Sequence, residues 1–241
     1  MPIKFGIIGA MEVEVNLLLN HMVGDVVTQV SGTEFHEGHI AGVPVVVVRC
    51  GIGKVNAAMI TQTVIDRFGA THVLNTGVAG ALDPSLEVGD IVVSIDAVQH
   101  DMDVTGLGYV RGLVPEMTSL TIEGGKAFFE ADERLRALVV KAAAEVAPEV
   151  TTIEGRIASG DLFVCEDADR RRISETFGAH CCEMEGAAIA QVCWRNQAPF
   201  VIVRAMSDKA DNTSKDNYRS AEAETGEHCA RIALRAIELF D

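Results

Sequence analysis

The chain has 241 residues, 48% of them apolar and 23% charged, with 35 acidic against 20 basic side chains and a formal net charge of −15. That length and composition predict a globular chain with a substantial core, read as one domain over residues 1–241. So negative a surface repels phosphate backbones and anionic membranes, which argues against nucleic-acid and membrane-surface roles.

No apolar run reaches the roughly 20 residues of a membrane span. The start, Met1 to Ala10, is followed at once by Glu12 and Glu14 and lacks the basic start and cleavage site of a secretory signal. A cytoplasmic protein is expected. In chain order, Ile3–Ile8 reads as a buried strand. Met11–Met22 reads as a helix, with Met11, Val15, Leu18 and Met22 at helical spacing. Thr33–Ile40 and Val43–Val48 read as strands joined by a turn at Ala41-Gly42, Asn56–Phe68 as a helix and His72–Asn75 as a strand. A turn at Glu87-Val88-Gly89-Asp90 leads into a strand over Ile91–Val98.

Residues 99–128 carry no clear period and several glycines, which predicts a long loop used for function or association. Then follow a helix (Glu133–Ala147), a strand (Thr152–Ala158), a helix (Ala168–Phe177), a short strand (Ala179–Cys182), a small-residue helix (Gly186–Asn196) and a strand (Phe200–Ala205). A polar loop over Asp208–Lys215 and a helix over Ser220–Leu239 complete the chain. Such alternation predicts an α/β fold with a largely parallel sheet covered on both faces.

Ligands of open α/β sheets bind outside the carboxyl ends of the strands. Six such ends carry glycines or carboxylates: Gly9 to Glu14, Gly51 to Gly53, Gly77 to Gly80, Ser159-Gly-Asp-Leu-Phe163, Glu183-Met-Glu185 and Met206-Ser-Asp208. Glycines and acids favour turns anyway. That explains one or two junctions, whereas six together point to a site.

Familiar motifs fail. Gly51-Ile-Gly53-Lys54 is not a phosphate loop, because Val48 stands where its first glycine belongs and Val55 follows the lysine. Asn56 breaks the dinucleotide fingerprint, and no Gly-x-Ser-x-Gly elbow occurs. His100-Asp101-Met102-Asp103 reads as a polar strand end rather than a metal cluster. The six cysteines, Cys50, Cys165, Cys181, Cys182, Cys193 and Cys229, show no Cys-x-x-Cys spacing, so buried free thiols are expected. Neither a metal nor an organic cofactor is expected. Grouped carboxylates suit cleavage of a nucleoside. An acidic pocket can protonate the departing base, activate water and stabilise an oxocarbenium-like ribose. One carboxyl must then hold a proton near neutral pH, which burial and like-charge neighbours can bring about.

At these residues the sequence resembles the methylthioadenosine/S-adenosylhomocysteine nucleosidases. The resemblance rests on Gly6-Ile-Ile-Gly-Ala-Met-Glu-Val-Glu14, Ser159-Gly-Asp161, Glu183-Met-Glu185 and Arg204-Ala-Met-Ser-Asp208. Gly51-Ile-Gly-Lys-Val55, Asn75-Thr-Gly-Val-Ala-Gly80 and Val88-Gly-Asp-Ile-Val92 fit as well. The resemblance implies a three-layer αβα, nucleoside-phosphorylase-like fold with a mixed, largely parallel central sheet, and a homodimer.

It also implies roles. Glu14 would be the general base for water, held with help from Arg204; periodicity alone does not choose Glu14 over Glu12. Asp208, oriented by Ser207, would be the general acid toward adenine N7. Glu185 would bind the ribose hydroxyls and Met184 the sugar. Phe163 would stack on adenine and the Val164 backbone would pair with its edge. Ile52, Ala79 and Gly80 would line the water and ribose region; Met11 and Glu183 are further substrate-binding candidates, with Glu183 equally readable as a structural or solvated neighbour. The partner loop near 105–115 would complete the pocket with Leu107 and Pro115. In the family it resembles, the loop usually supplies an aromatic residue where this chain has Leu107, with Tyr109 and Pro115 beyond it, and often a Phe where this chain has Tyr218.

Three other readings remain at this point. A phosphorylase would need cations beside the ribose, for which Arg49 and Arg204 are the candidates. An aminodeoxyfutalosine hydrolase would use the same pocket. A non-catalytic purine-binding protein would have no use for Glu14, Glu185 and Asp208 together.

Overall fold

The computed structural model describes residues 2–118 and 121–240. β1 (Phe5–Gly9), buried along its whole length, lies inside the main sheet. β1 pairs in parallel with β4 (Val43–Arg49) on one side and with β5 (His72–Ala81) on the other. Beyond β4 the sheet continues antiparallel through β3 (Thr33–Ile40) to β2 (Val23–Val30). Beyond β5 come β12 (Phe200–Asp208, parallel), β6 (Ile91–Gln99, antiparallel), β10 (Thr152–Ser159) and β11 (Cys181–Glu183), the last two parallel to β6. β11 then pairs back onto β5, so five strands close into a ring. The result is the expected mixed α/β sheet, with more antiparallel pairing than the sequence suggests.

Side chains along a strand alternate between faces. Ile7, Val45 and Val47 enter one apolar cluster with Val15 and Leu18 of α1 (Glu12–Asn20), Leu135 and Val139 of α3 (Glu133–Val146), and Ile232 of α6 (Ser214–Glu238). Ile8, Val46 and Val48 enter another, with Ala57, Ile60 and Val64 of α2 (Lys54–Asp66) and Ala187, Ile189 and Ala190 of α5 (Gly186–Asn196). Ile173 and Phe177 of α4 (Asp167–Phe177) pack with Val98, Ala158 and Val164. Covering on both faces is why Val45 to Val48 can be apolar without interruption. The helix ends are locally encoded. The Asp132 carboxylate accepts the Leu135 N–H at 2.9 Å to start α3, and Gly178, at φ 63°, ends α4.

Several boundaries differ from the sequence reading. β2 is an additional edge strand. β5 runs on through Gly77 to Ala81, β12 runs to Asp208, and α6 begins at Ser214. The stretch 99–128 holds a 3₁₀ turn at Thr105–Leu107, a hairpin of β7 (Val114–Thr118) and β8 (Thr121–Lys126), and the start of β9 (Phe128–Glu130), which pairs with β6. Residues 119 and 120 of that stretch, and the chain ends 1 and 241, lie outside the described residues. Among the described residues no helix is long and apolar enough to cross a membrane.

Candidate active site

The ends of β1, β5, β11 and β12 meet around a cavity of about 260 Å³. Met11, Glu14, Ile52, Ala79, Gly80, Phe163, Glu183, Met184, Glu185, Ser207, Asp208 and Tyr218 line it, together with Ala10, Val78 and Cys182, which sequence reasoning missed. Val164 lines a small adjoining recess with Gly80, Phe163 and Asp208. Leu107 is not in this cavity and is 67% exposed, and Pro115 lies on β7.

Glu14 stands in the first turn of α1, where backbone N–H groups lack helical partners. Its carboxylate reaches back to the N–H groups of Ala10 (2.6 Å) and Met11 (2.9 Å) and across to that of Val78 (3.1 Å). Burial pushes the carboxyl above its ordinary value, against the pull of the Arg204 charge and of these bonds. Glu12 faces solvent and lies 3.8 Å from Arg49. Geometry therefore separates the two acids that periodicity could not.

Gly77 makes room for the Glu14 carboxylate. A Cβ there would stand 2.2 Å from Arg204 Nη1 and 2.6 Å from Glu14 Oε1. The guanidinium and the carboxylate thus flank one glycine of β5.

Asp208 owes its direction to a β-bulge. In the β12–β5 ladder, Met206 pairs with Ala79 and Asp208 with Gly80, leaving Ser207 as the extra residue. Bulges re-aim side chains. The Ser207 hydroxyl donates to Asp208 Oδ2 at 2.8 Å, and the Ala210 N–H donates to Oδ1 at 2.8 Å. Asp208 is buried with its carboxylate against the cavity.

Glu185 is the N-cap of α5, and Oε1 accepts the Gly53 N–H at 2.8 Å. Burial, then the neighbouring charge of Glu183, raise its pKa to about 7 against the pull of Arg204. Arg204 itself is buried behind the cavity. Its Nη2 donates to Asn75 Oδ1 at 2.6 Å and contacts Glu183, so it is not open to an incoming anion. Burial works against its charge, but Glu183, Glu185 and Glu14 hold it ionised. At the cavity mouth the Tyr218 hydroxyl donates to Met11 Sδ at 3.1 Å, and the Tyr218 ring meets Phe163 edge-on at 5.6 Å.

The His100 segment does not assemble a cation site. Asp101 accepts from Lys54 Nζ at 2.6 Å and Asp103 pairs with Arg111. Among the described residues no group of three or more His, Cys, Asp or Glu side chains is placed to hold a metal.

Three buried carboxylates thus line one cavity: Asp208 beside Ser207, Glu14 in the first turn of α1 and Glu185 at the head of α5. The family model described as the phosphorylase superfamily matches residues 4–238. A 5′-methylthioadenosine/S-adenosylhomocysteine nucleosidase of Shewanella frigidimarina is 43% identical over 236 residues, 98% of this chain and 99% of that protein. The chain belongs to this nucleosidase family of the phosphorylase superfamily. Among solved structures, the nucleosidase of Neisseria meningitidis in complex with methylthio-immucillin-A superposes with a TM-score of 0.92 at 35% identity, covering 98% of this chain and 99% of that one. The futalosine hydrolase of Helicobacter pylori superposes with a TM-score of 0.90 at 31% identity, covering 99% and 98%. The nucleosidase family thus accounts for the fold, and residues from all six strand ends singled out in the sequence line one cavity.

Proposed function

We propose that the chain hydrolyses the N-glycosidic bond of 5′-methylthioadenosine and S-adenosylhomocysteine, releasing adenine and the thioribose product. The observation that carries this reading is the convergence of Glu14, Glu185 and Asp208, each buried and each from a different element, on one cavity. Asp208 gives a proton to adenine N7 as the bond to ribose breaks, and the Ser207 hydroxyl keeps its carboxyl pointed at the base. Phe163 stacks on the adenine, whose edge pairs with the Val164 backbone. Glu185 accepts hydrogen bonds from the ribose hydroxyls, with Met184 against the sugar. The cationic character that grows on the ribose is stabilised by the carboxylates around it. Glu14 takes a proton from the water that attacks the anomeric carbon. A carboxyl raised above its ordinary value is the stronger base for that step.

Phosphorolysis fits less well. Arg204 is already engaged by Glu183 and Asn75, and Arg49 stands by Glu12 on the surface. A phosphate would meet the Glu14 carboxylate instead. The same cavity suits adenine nucleosides with other 5′ groups, 5′-deoxyadenosine among them. The likeness to the Helicobacter pylori futalosine hydrolase makes aminodeoxyfutalosine a substrate to test alongside.

We place this reaction in the cytoplasm, in methionine salvage, as the work of one nucleosidase domain spanning the chain. The active form is a homodimer. Val55 (78% exposed), Leu107 (67%) and Val110 (66%) leave large apolar side chains in water, which a second copy would cover. The loop near 105–115 then reaches the partner's pocket, bringing Leu107 and Pro115 to the 5′ group. The test is adenine release from methylthioadenosine in phosphate-free buffer and again with phosphate. Release without phosphate, yielding free methylthioribose, is expected. Release only with phosphate would overturn the hydrolytic reading.

A further inference from the structure

Glu183 lines the cavity, yet its carboxylate is already fully engaged by the protein. Oε1 accepts the Ser159 hydroxyl, and Oε2 accepts the N–H groups of Glu185 (3.1 Å) and Gly186 (2.8 Å) and the Arg204 guanidinium. Ser159 Oγ in turn accepts the Ala187 N–H at 2.7 Å. Glu183 and Ser159 therefore satisfy three successive N–H groups at the start of α5, a place where donors otherwise lack partners. Both side chains are buried, and Ser159 is fully so.

Two carboxylates here compete for one cation. Arg204 Nη2 touches Glu183 Oε2 but stops 3.9 Å from Glu185 Oε2. Glu185 Oε1 takes the Gly53 N–H, and among the described residues no hydrogen bond reaches its Oε2. An acceptor open toward the cavity is what a ribose hydroxyl needs.

We propose that Glu183 is a positioning residue: with Ser159 it fixes the backbone of Glu185 at the head of α5 and holds Arg204 back from Glu185, leaving Oε2 open to the substrate's ribose hydroxyls. This rests on the reading that Glu185 binds the ribose. Ser159, one of the strand-end residues of the motif Ser159-Gly-Asp161, thereby serves the site from behind. The charged groups facing Glu185 are Glu183 from β11, Arg204 from β12 and Glu14 from α1, with the buried Cys50 thiol beside them.

Two isolated changes separate charge from scaffold. In Glu183→Gln the amide can donate to Ser159 and its oxygen can still accept from Gly186, so the bonds persist without the charge. Arg204, held then by a neutral acceptor instead of a charge, can move closer to Glu185. The acid limb of kcat/KM against pH should move down by about one unit or more, because a like charge has gone and an opposite one has come closer. Ser159→Ala keeps the charge and removes the brace, so KM should rise several-fold with the limb in place. A merely structural role would lower thermal stability in both variants and move neither limb. An unmoved limb in Glu183→Gln, or unchanged KM in Ser159→Ala, overturns the proposal. Glu185→Gln run in parallel identifies which premise failed. If it leaves KM and kcat unchanged, the ribose reading falls and this proposal with it. If it is impaired while the limb in Glu183→Gln stays put, this proposal falls alone.

Discussion

Replacing Gly77 with alanine puts a methyl group between Glu14, the proposed general base, and the buried Arg204. The β5–β12 register places Gly77 opposite Arg204, and the new Cβ would lie 2.2 Å from Nη1 and 2.6 Å from Glu14 Oε1. Heavy atoms in contact sit about 3.5 Å apart or more, so one or both groups must retreat by about 1 Å. Neither can do so freely. Arg204 is held by Asn75 and Glu183, and Glu14 by three backbone N–H groups. Overpacking of this kind costs about 1–3 kcal/mol. Loss of the Arg204–Glu183 contact would add to it, since a broken buried pair costs about 3–5 kcal/mol. For a chain of this size each kcal/mol lowers Tm by about 2–4 °C. A 1 Å displacement of a reacting group can cost about 100-fold in rate. Thermal unfolding and adenine-release kinetics on Gly77→Ala should therefore show a Tm several degrees lower and kcat/KM reduced by about 100-fold or more. Kinetics within threefold of the parent at an unchanged Tm would refute the claim that this glycine sets the base. Gly80→Ala is the gentler companion. Its Cβ would stand 3.0 Å from Asp208 Oδ1, so activity should fall with a smaller loss of stability.

Glu14→Gln and Asp208→Asn each remove a proposed proton-transfer group without changing size, and steady-state assays should show losses of about 100-fold to 10,000-fold. Tm should be little altered in Asp208→Asn but lowered in Glu14→Gln, where an amide NH2 replaces an oxygen that accepts backbone N–H. Near-parental turnover in either would dismantle the assigned roles. Glu185 titrates near 7 in the folded chain against 4.5 as its ordinary value, so its stabilising contribution is complete below 4.5 and is lost as pH rises through 7. Denaturant titrations from pH 4.5 to 8 should show the parent losing up to about 3 kcal/mol relative to Glu185→Gln; a pH-independent difference would contradict the raised value. Leu107→Asp puts a charge on the apolar face near the 105–115 loop and should yield monomers in sedimentation velocity, while a monomeric parent would rule out the dimer.

The sheet and helices were legible wherever burial imposed a pattern. Val45 to Val48 and Phe200 to Ala205 are apolar because both faces are covered. β2 escaped because it is an edge strand: Val23, Val26 and Val27 all face solvent, so no alternation marks it. Gly77 to Gly80 looked like a turn after a short strand. In fact β5 continues through them, and those glycines serve the close approach of Glu14, Arg204 and Asp208. The motif residues were readable through resemblance, whereas what holds them was not. The contacts joining Glu183 to Ser159 and Arg204 span 24 and 21 positions, and that joining Arg204 to Asn75 spans 129. Only the folded sheet creates those neighbours.

The ring formed by β5, β12, β6, β10 and β11 also dictates an order of events during synthesis. β12 lies between β5 and β6 and carries both Arg204 and Asp208, yet it is the last strand made. Until it leaves the ribosome, β5 has an open edge on that side and Glu14 has no cation behind it. A nascent chain arrested before residue 200 therefore carries a half-built pocket and an unpaired strand, the kind of edge that recruits wrong partners. Chaperone dependence should concentrate in that interval; late insertion of β12 would close the ring and bring Arg204 and Asp208 into the pocket together, leaving only Tyr218 of α6 to be added.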